Sequence, residues 1–327
     1  MSNDTGAWGE PEALPLHTGS RRISWRDLPR AVSVGIEEVL HGSVATATSQ
    51  PGGFSEGLAS RVVLADGRRA FVKAVDAAAA PGVGAFHRRE VAMAGALPSG
   101  APVPRLVGSY DDGRWVALVF EDVDGVLPAQ PWRMSELERV LDAVTTLSEQ
   151  LTPAPRLAAP APPPRLGGWG RLAHSPTARA RLATVAPRAA DDLELYLSLE
   201  ARLDAATAGT TLVHGDLYPF NILLSGDRVV FVDWPHAWIG PAHADLVMLL
   251  GSVALSGIDP EPFAARHPLL TGVEPEAVDV LISAQAGFLL ATACSMGGSV
   301  DPRLVQMMTR LGLASLRWLS GRRAGNR

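Results

Sequence analysis

The sequence predicts an α+β protein in two lobes: a small, mostly antiparallel five-stranded sheet carrying one helix, then a larger and mostly helical lobe. Three observations predict it. Between residues 43 and 123, short β-branched runs alternate with Gly- and Asp-Gly-bearing turns, the pattern of consecutive antiparallel strands. After Gly125 the apolar residues fall at helical spacing instead. The 327 residues are 47% apolar, enough for a sizeable core and for two units of roughly 100–200 residues each.

The elements follow in order. Residues 1–23 are polar, contain Pro and Gly, and read as a partly disordered extension. Residues 24–123 form the first lobe. Ser24–Gly42 holds a short helix stopped at Gly42. Ser43–Gln50 alternates and is β-branched, so it reads as a strand, and "PGGFSEG" (Pro51–Gly57) is a tight glycine turn. Leu58–Ala65 is the second strand, Asp66–Gly67 a hairpin turn, and "RRAFVKAV" the third strand. Gly84–Pro98 reads as a helix closed by proline, and Pro104–Gly125 as two strands about Asp112–Gly113. Residues 124–327 form the second lobe. Ser135–Leu151 is an amphipathic helix, and Thr152–Gly170 opens a Pro/Gly-rich excursion over 152–175. Ala190–Ala206 is helical again. "TTLVHGDLYPFNILLSGDRVVFVDW" then places a polar loop and a Gly226–Asp227 turn among short apolar runs, and the rest is helical.

Bulk properties remove several function classes. The net charge is −5, and no basic stripe interleaves with aromatics, so nucleic acid is not an expected partner. The single cysteine, Cys294, has no partner for an intrachain disulfide and lies in an apolar run, as a buried core residue does. The N-terminal residues lack the basic and apolar regions of a secretory signal. The apolar windows near 244–257 and 278–297 are short or carry Asp and Gln, so they read as buried helices and not membrane spans. A cytoplasmic protein is expected.

The chemistry concentrates in "HGDLYPFN", His214–Asn221, followed by Asp233 in "VVFVDW". A carboxylate and an amide in one loop, with a second carboxylate after the next strand, can face one site. Asn221 and Asp233 supply the oxygens a hard cation such as Mg²⁺ accepts, and Asp216 is left to orient or deprotonate a hydroxyl. Upstream, Lys73 is the only lysine among 29 Lys and Arg residues. Asn221 is the only asparagine away from the termini. In a chain that otherwise uses arginine for its cations, both positions ask for a specific reason.

His214-Gly215-Asp216, four residues, then Asn221 resembles the catalytic loop of the aminoglycoside phosphotransferase family, small-molecule relatives of the protein kinases. The resemblance runs from about residue 24 to about residue 320 and implies a two-lobed protein-kinase-like fold and transfer of phosphate from ATP with Mg²⁺. By position it makes Asp216 the catalytic aspartate and Asn221 and Asp233 the metal ligands. Lys73 becomes the phosphate-binding lysine and Glu90 its partner on the helix. Gly53 and Ser55 fall in the turn over the phosphates, and Glu121 and Val123 in the hinge that reads adenine. His214 and Asp245 become supports of the catalytic loop. There are departures. Asp233 is followed by Trp234 and Pro235, not Phe-Gly, and the next helix follows closely, leaving no room for a long activation loop. Protein substrates are therefore disfavoured.

The resemblance implies a small hydroxylated acceptor: an aminoglycoside or another antibiotic, in resistance or self-protection. The near-neutral charge balance after Ala206 keeps weakly charged acceptors open, including a sugar, amino sugar or amino-alcohol metabolite. A catalytically silent nucleotide-binding module is the remaining alternative. Such a module would be expected to have lost one of Lys73, Asp216, Asn221 or Asp233, and none is lost.

Overall fold

The computed structural model describes residues 22–50, 56–296 and 300–325. The expectations for residues 1–21 and for Gly53 and Ser55 lie outside the described residues.

The first lobe is built on five antiparallel strands, β1 (Val44–Ser49), β2 (Leu58–Leu64), β3 (Arg69–Asp76), β4 (Leu106–Asp111) and β5 (Trp115–Glu121). They lie in the order β1-β2-β3-β5-β4. Asp66–Gly67 turns β2 into β3, with Gly67 at φ +86°, and Gly113 at φ +90° turns β4 into β5. At Gly57 (φ +113°) a Cβ would sit 2.4 Å from the Ala74 carbonyl oxygen, so only glycine lets β2 start this close to β3. Helix α1 (Arg30–Leu40) covers one face, packing Val32, Ile36 and Leu40 with Val62, Val72 and Val119. Helix α2 (Pro81–Ala94) lies on the other, with Val75, Val116, Leu118 and Phe120. Alternation along β3 puts Ala70, Val72 and Ala74 toward α1. It turns Phe71, Lys73 and Val75 toward α2, which carries Glu90.

The chain crosses between lobes at residues 122–125, and Val126 pairs with Leu224 through two backbone hydrogen bonds of 3.0 and 2.8 Å. The second lobe comprises α3 (Met134–Gln150), α4 (Trp169–His174), α5 (Pro176–Val185), α6 (Pro187–Asp191), α7 (Leu193–Glu200) and α8 (Leu203–Ala206). Short strands β6 (Thr211–Val213), β7 (Ile222–Ser225), β8 (Arg228–Phe231) and β9 (Trp238–Gly240) follow, pairing as β6-β9 and β7-β8. Helices α9 (Ala244–Leu255), α10 (Glu261–Arg266), α11 (Pro275–Ser295) and α12 (Pro302–Gly325) complete it. α11 is the one described helix long and apolar enough to cross a membrane, and 83% of that window is buried inside the lobe. It is a core helix, as its Asp and Gln predict.

Three boundaries differ from the sequence reading. α1 ends at Leu40, just before the stop expected at Gly42, because His41 itself takes the left-handed conformation (φ 51°). α2 begins at Pro81, since proline at the first helical position loses no hydrogen bond, and ends before Gly95. The expected continuous helix over 190–206 is three short helices. Its Glu200 is spent on another element. Its carboxylate accepts from the N–H groups of Gly168, Trp169 (3.0 Å) and Gly170 (2.7 Å), capping α4. That cap, with Trp169 buried against Tyr196, places a helix inside the predicted Pro/Gly-rich excursion.

Candidate active site

Lys73, Glu90, Asp216, Asn221 and Asp233, from four stretches of the chain, meet in a cleft of about 630 Å³ between the lobes. Lys73 projects from the middle of β3, where it pairs with Leu118 and Ala59. Its Nζ donates to Glu90 Oε1 at 2.7 Å, Glu90 Oε2 at 3.0 Å and Asp233 Oδ1 at 2.7 Å. An ammonium has three donors, and all three are used here. Burial works against the Lys73 charge, but the two carboxylates outweigh it and hold its pKa above the ordinary lysine value. Glu90 is 3% exposed; burial pushes its carboxyl up, against the pull of Lys73. At Asp233 the balance is reversed: burial opposes ionisation, yet Lys73 draws the carboxyl down to about 2. Asp233 is the half-open member of the trio, with a 43% exposed side chain.

The loop between β6 and β7 carries Asp216 and Asn221. Asp245, near the start of α9, holds its entrance: Oδ2 accepts from the His214 N–H at 2.8 Å and Oδ1 from the Gly215 N–H at 3.0 Å. Burial raises the Asp245 pKa, offset in part by His214 and those two N–H donors. His214 Nε2 donates to the Val232 carbonyl (2.9 Å), and Nδ1 accepts from the Asp216 N–H (3.3 Å), so the ring ties the loop to the segment carrying Asp233. Gly215 stands at φ +77°, with a would-be Cβ 2.4 Å from the His236 carbonyl oxygen. Asn221 Nδ2 donates to the Asp216 carbonyl (2.8 Å) and to Asp216 Oδ2 (3.1 Å). That fixes the amide and leaves its oxygen as the atom able to meet a cation.

Asp233 itself adopts the left-handed conformation (φ 73°). Trp234, which stands where a mobile glycine-containing motif would offer phenylalanine, is buried, donates to the Phe231 carbonyl at 3.0 Å and packs on His214 at 4.6 Å between ring centroids.

The donor set suits Mg²⁺. Asn221 and Asp233 offer two oxygens, and no cluster of three or more His, Cys, Asp or Glu able to cage a metal occurs among the described residues. A phosphate-bound Mg²⁺ takes one or two protein oxygens and fills its octahedron with phosphate and water.

At the hinge, the Glu121 N–H donates to the Arg105 carbonyl (3.0 Å) and the Val123 carbonyl accepts from Arg61 Nη2 (2.7 Å). Sequence reasoning missed Asp122 between them, 4% exposed and gripped by Arg61 (3.1 Å) and Arg69 (2.6 Å). It also missed Arg165, whose Nη1 lies 3.5 Å from Asp216 Oδ1 and whose guanidinium stacks over Phe288 at 4.8 Å.

Residues 52–277 match the model of the phosphotransferase enzyme family. An aminoglycoside phosphotransferase from Alicyclobacillus acidocaldarius has the same fold, with TM-score 0.55 and 16% identity over 86% of this chain and 92% of that one. So does a thermostable mutant of the aminoglycoside phosphotransferase APH(4)-Ia, solved with ADP and hygromycin B, with TM-score 0.53 and 16% identity over 90% and 97%. Among curated proteins, a LicA homolog of Mycoplasma capricolum is 39% identical over 41 residues, a match spanning 12% of this chain and only 17% of the relative.

Proposed function

The chain belongs to the phosphotransferase enzyme family, and we propose that it transfers the γ-phosphoryl group of ATP to a hydroxyl of a small molecule. The observation that carries this is the convergence of Lys73, Glu90, Asp216, Asn221 and Asp233 on one cleft. Phosphoryl transfer asks little covalent chemistry of a protein; it asks for alignment and for charge opposite the moving phosphoryl group.

Adenine enters at Phe120–Val123, read by the Glu121 carbonyl and the Val123 N–H. Lys73 holds the α/β-phosphates. Its three protons are already placed, so the bond to Asp233 is exchanged for a phosphate oxygen while both Glu90 bonds keep the ammonium aimed. Asn221 and Asp233 would hold Mg²⁺, which supplies neutralisation of the phosphate oxygens. The acceptor hydroxyl lies against Asp216, which orients it in line and takes its proton as the bond to phosphorus forms. Asp245 and His214 keep the loop in place. A cytoplasmic location, where ATP is supplied, fits this chemistry.

Asp216→Asn tests the assignment. It keeps the side-chain shape and removes the base. Turnover, read as ADP release with an acceptor, should fall by about 10²-fold or more, while the thermal shift produced by MgATP persists. Full turnover in that variant would remove Asp216 from the role.

A further inference from the structure

Beyond Asp216 the cleft continues into a wall made by α11 and α12, and the composition of that wall bears on the acceptor. Phe288, Leu289, Met296, Met307, Met308 and Leu311 line it. Among the described lining residues, the only carboxylates are Glu90, Glu121, Asp122, Asp216 and Asp233. Glu90 and Asp233 hold Lys73, Asp122 is paired to Arg61 and Arg69, and Glu121 is at the hinge. Asp216 alone faces the acceptor side, and next to it stands a cation, Arg165, steered between Asp216 and the Phe288 ring.

We propose that this wall is the acceptor subsite and that it takes an alcohol with an apolar body and at most one negative charge, not a polyammonium sugar. The inference rests on the phosphotransferase reading above and names its substrate class. Each ammonium brought against such a wall loses hydration, and no carboxylate other than Asp216 is there to replace it. Arg165 adds direct repulsion, the element that rejects the wrong class. Methionine side chains adapt to varied apolar shapes, and a cleft of this size can bury most of a drug-sized body. Arg165 meets an anionic group on the acceptor.

The test uses the full chain with Mg²⁺ and a saturating non-hydrolysable ATP analogue. The probe 8-anilinonaphthalene-1-sulfonate, apolar with one negative charge, is titrated by fluorescence and then competed with cholate or kanamycin. The expected result is saturable binding displaced by cholate but not by kanamycin at equal concentration. Arg165→Glu, at a partly exposed side chain, should weaken probe binding by about tenfold or more, the loss of roughly one favourable charge contact. Met308→Glu should do the same. Displacement by kanamycin, kanamycin-dependent ADP release, or probe binding indifferent to both substitutions would overturn the inference. The thermal shift with MgATP is read in parallel. If it is present, any such failure belongs to the substrate class alone; if it is absent, the phosphotransferase reading fails and this inference falls with it.

Discussion

Removing the Lys73 cation, as Lys73→Met, puts the central charge arrangement to a quantitative test. Lys73 satisfies two carboxylates of unequal exposure: Glu90 at 3% and Asp233 at 43%. Asp233 can turn to water when the ammonium goes, but Glu90 cannot. Breaking a buried pair from one side costs about 3–5 kcal/mol, because a dry charge is left uncompensated. Glu90 can limit that loss by taking a proton. Burial already pushes its carboxyl up and Lys73 supplies the opposing pull, so the variant raises it further. A carboxyl whose folded pKa is raised supports folding below its unfolded pKa and loses that support as pH rises toward the folded value.

With an unfolded value of about 4.3, a Glu90 held neutral in the fold costs up to about 1.4 kcal/mol per pH unit above it. That amounts to about 1 kcal/mol at pH 5 and about 4 kcal/mol at pH 7. The assay is urea denaturation of both proteins from pH 5 to pH 8. The gap between them should widen with pH, and adding Glu90→Gln to Lys73→Met should flatten it. A gap that stays constant across this range, or stays under about 1 kcal/mol at pH 7, would refute the reasoning. The other two groups leave this window clean. Lys73, raised, contributes stability that is complete below the ordinary lysine value and lost only in strong alkali. Asp233, depressed to about 2, contributes stability present above the ordinary aspartate value and lost as pH falls toward 2.

Three further outcomes follow from the loop. Asp245→Ala strands the His214 and Gly215 N–H groups in a buried place, and at about 1–3 kcal/mol per unsatisfied donor denaturation should show a loss of about 2–6 kcal/mol. Gly215→Ala must hold a positive φ and press a methyl toward the His236 carbonyl. It should lower stability by about 1–3 kcal/mol and reduce kcat more than it weakens MgATP binding. Trp234→Ala opens a cavity beneath Asp233 and His214; a loss of about 3–5 kcal/mol, with a smaller MgATP thermal shift, is expected by calorimetry.

The residues proposed to meet the nucleotide stand out in the sequence because they are chemically conspicuous. Lys73 interrupts an apolar strand, and Asp216, Asn221 and Asp233 lie among apolar runs where a polar side chain needs a task. Glu90 was placed only by the resemblance of the chain to a family; in the structure β3 alternates, and Lys73 shares with Phe71 and Val75 the face that α2 covers. The proposed acceptor wall was not legible, for the opposite reason. Methionine, leucine and phenylalanine on α11 and α12 look the same in sequence whether they fill a core or line a cavity. Arg165 was hidden differently. It follows the prolines at 162–164, and only the fold brings it to Asp216, through Gly167 bonding to Ala284 (2.8 Å) and the Glu200 cap on α4.

The departure at Trp234-Pro235 bears on how such a site is controlled. A switchable kinase site needs an element with two arrangements. Here the aspartate itself carries the left-handed backbone, and the next residue is a buried indole bonded to Phe231 and packed on His214. Turning Asp233 outward would empty the Trp234 site and break the contact that orders the catalytic loop. Glu90 is already on Lys73. The structure therefore holds Lys73, Glu90 and the loop elements in one assembled arrangement. On the proposed reading control passes to what enters the cleft, and on the proposed acceptor side to Arg165 and the apolar wall. Arg165 lies against Asp216, so an acceptor must displace that guanidinium before its hydroxyl reaches the carboxylate. An acceptor bearing a negative charge does so by pairing with it, whereas water has less to offer. The arrangement predicts that Arg165→Ala raises ADP release without acceptor relative to ADP release with it. An unchanged ratio would remove Arg165 from the gate.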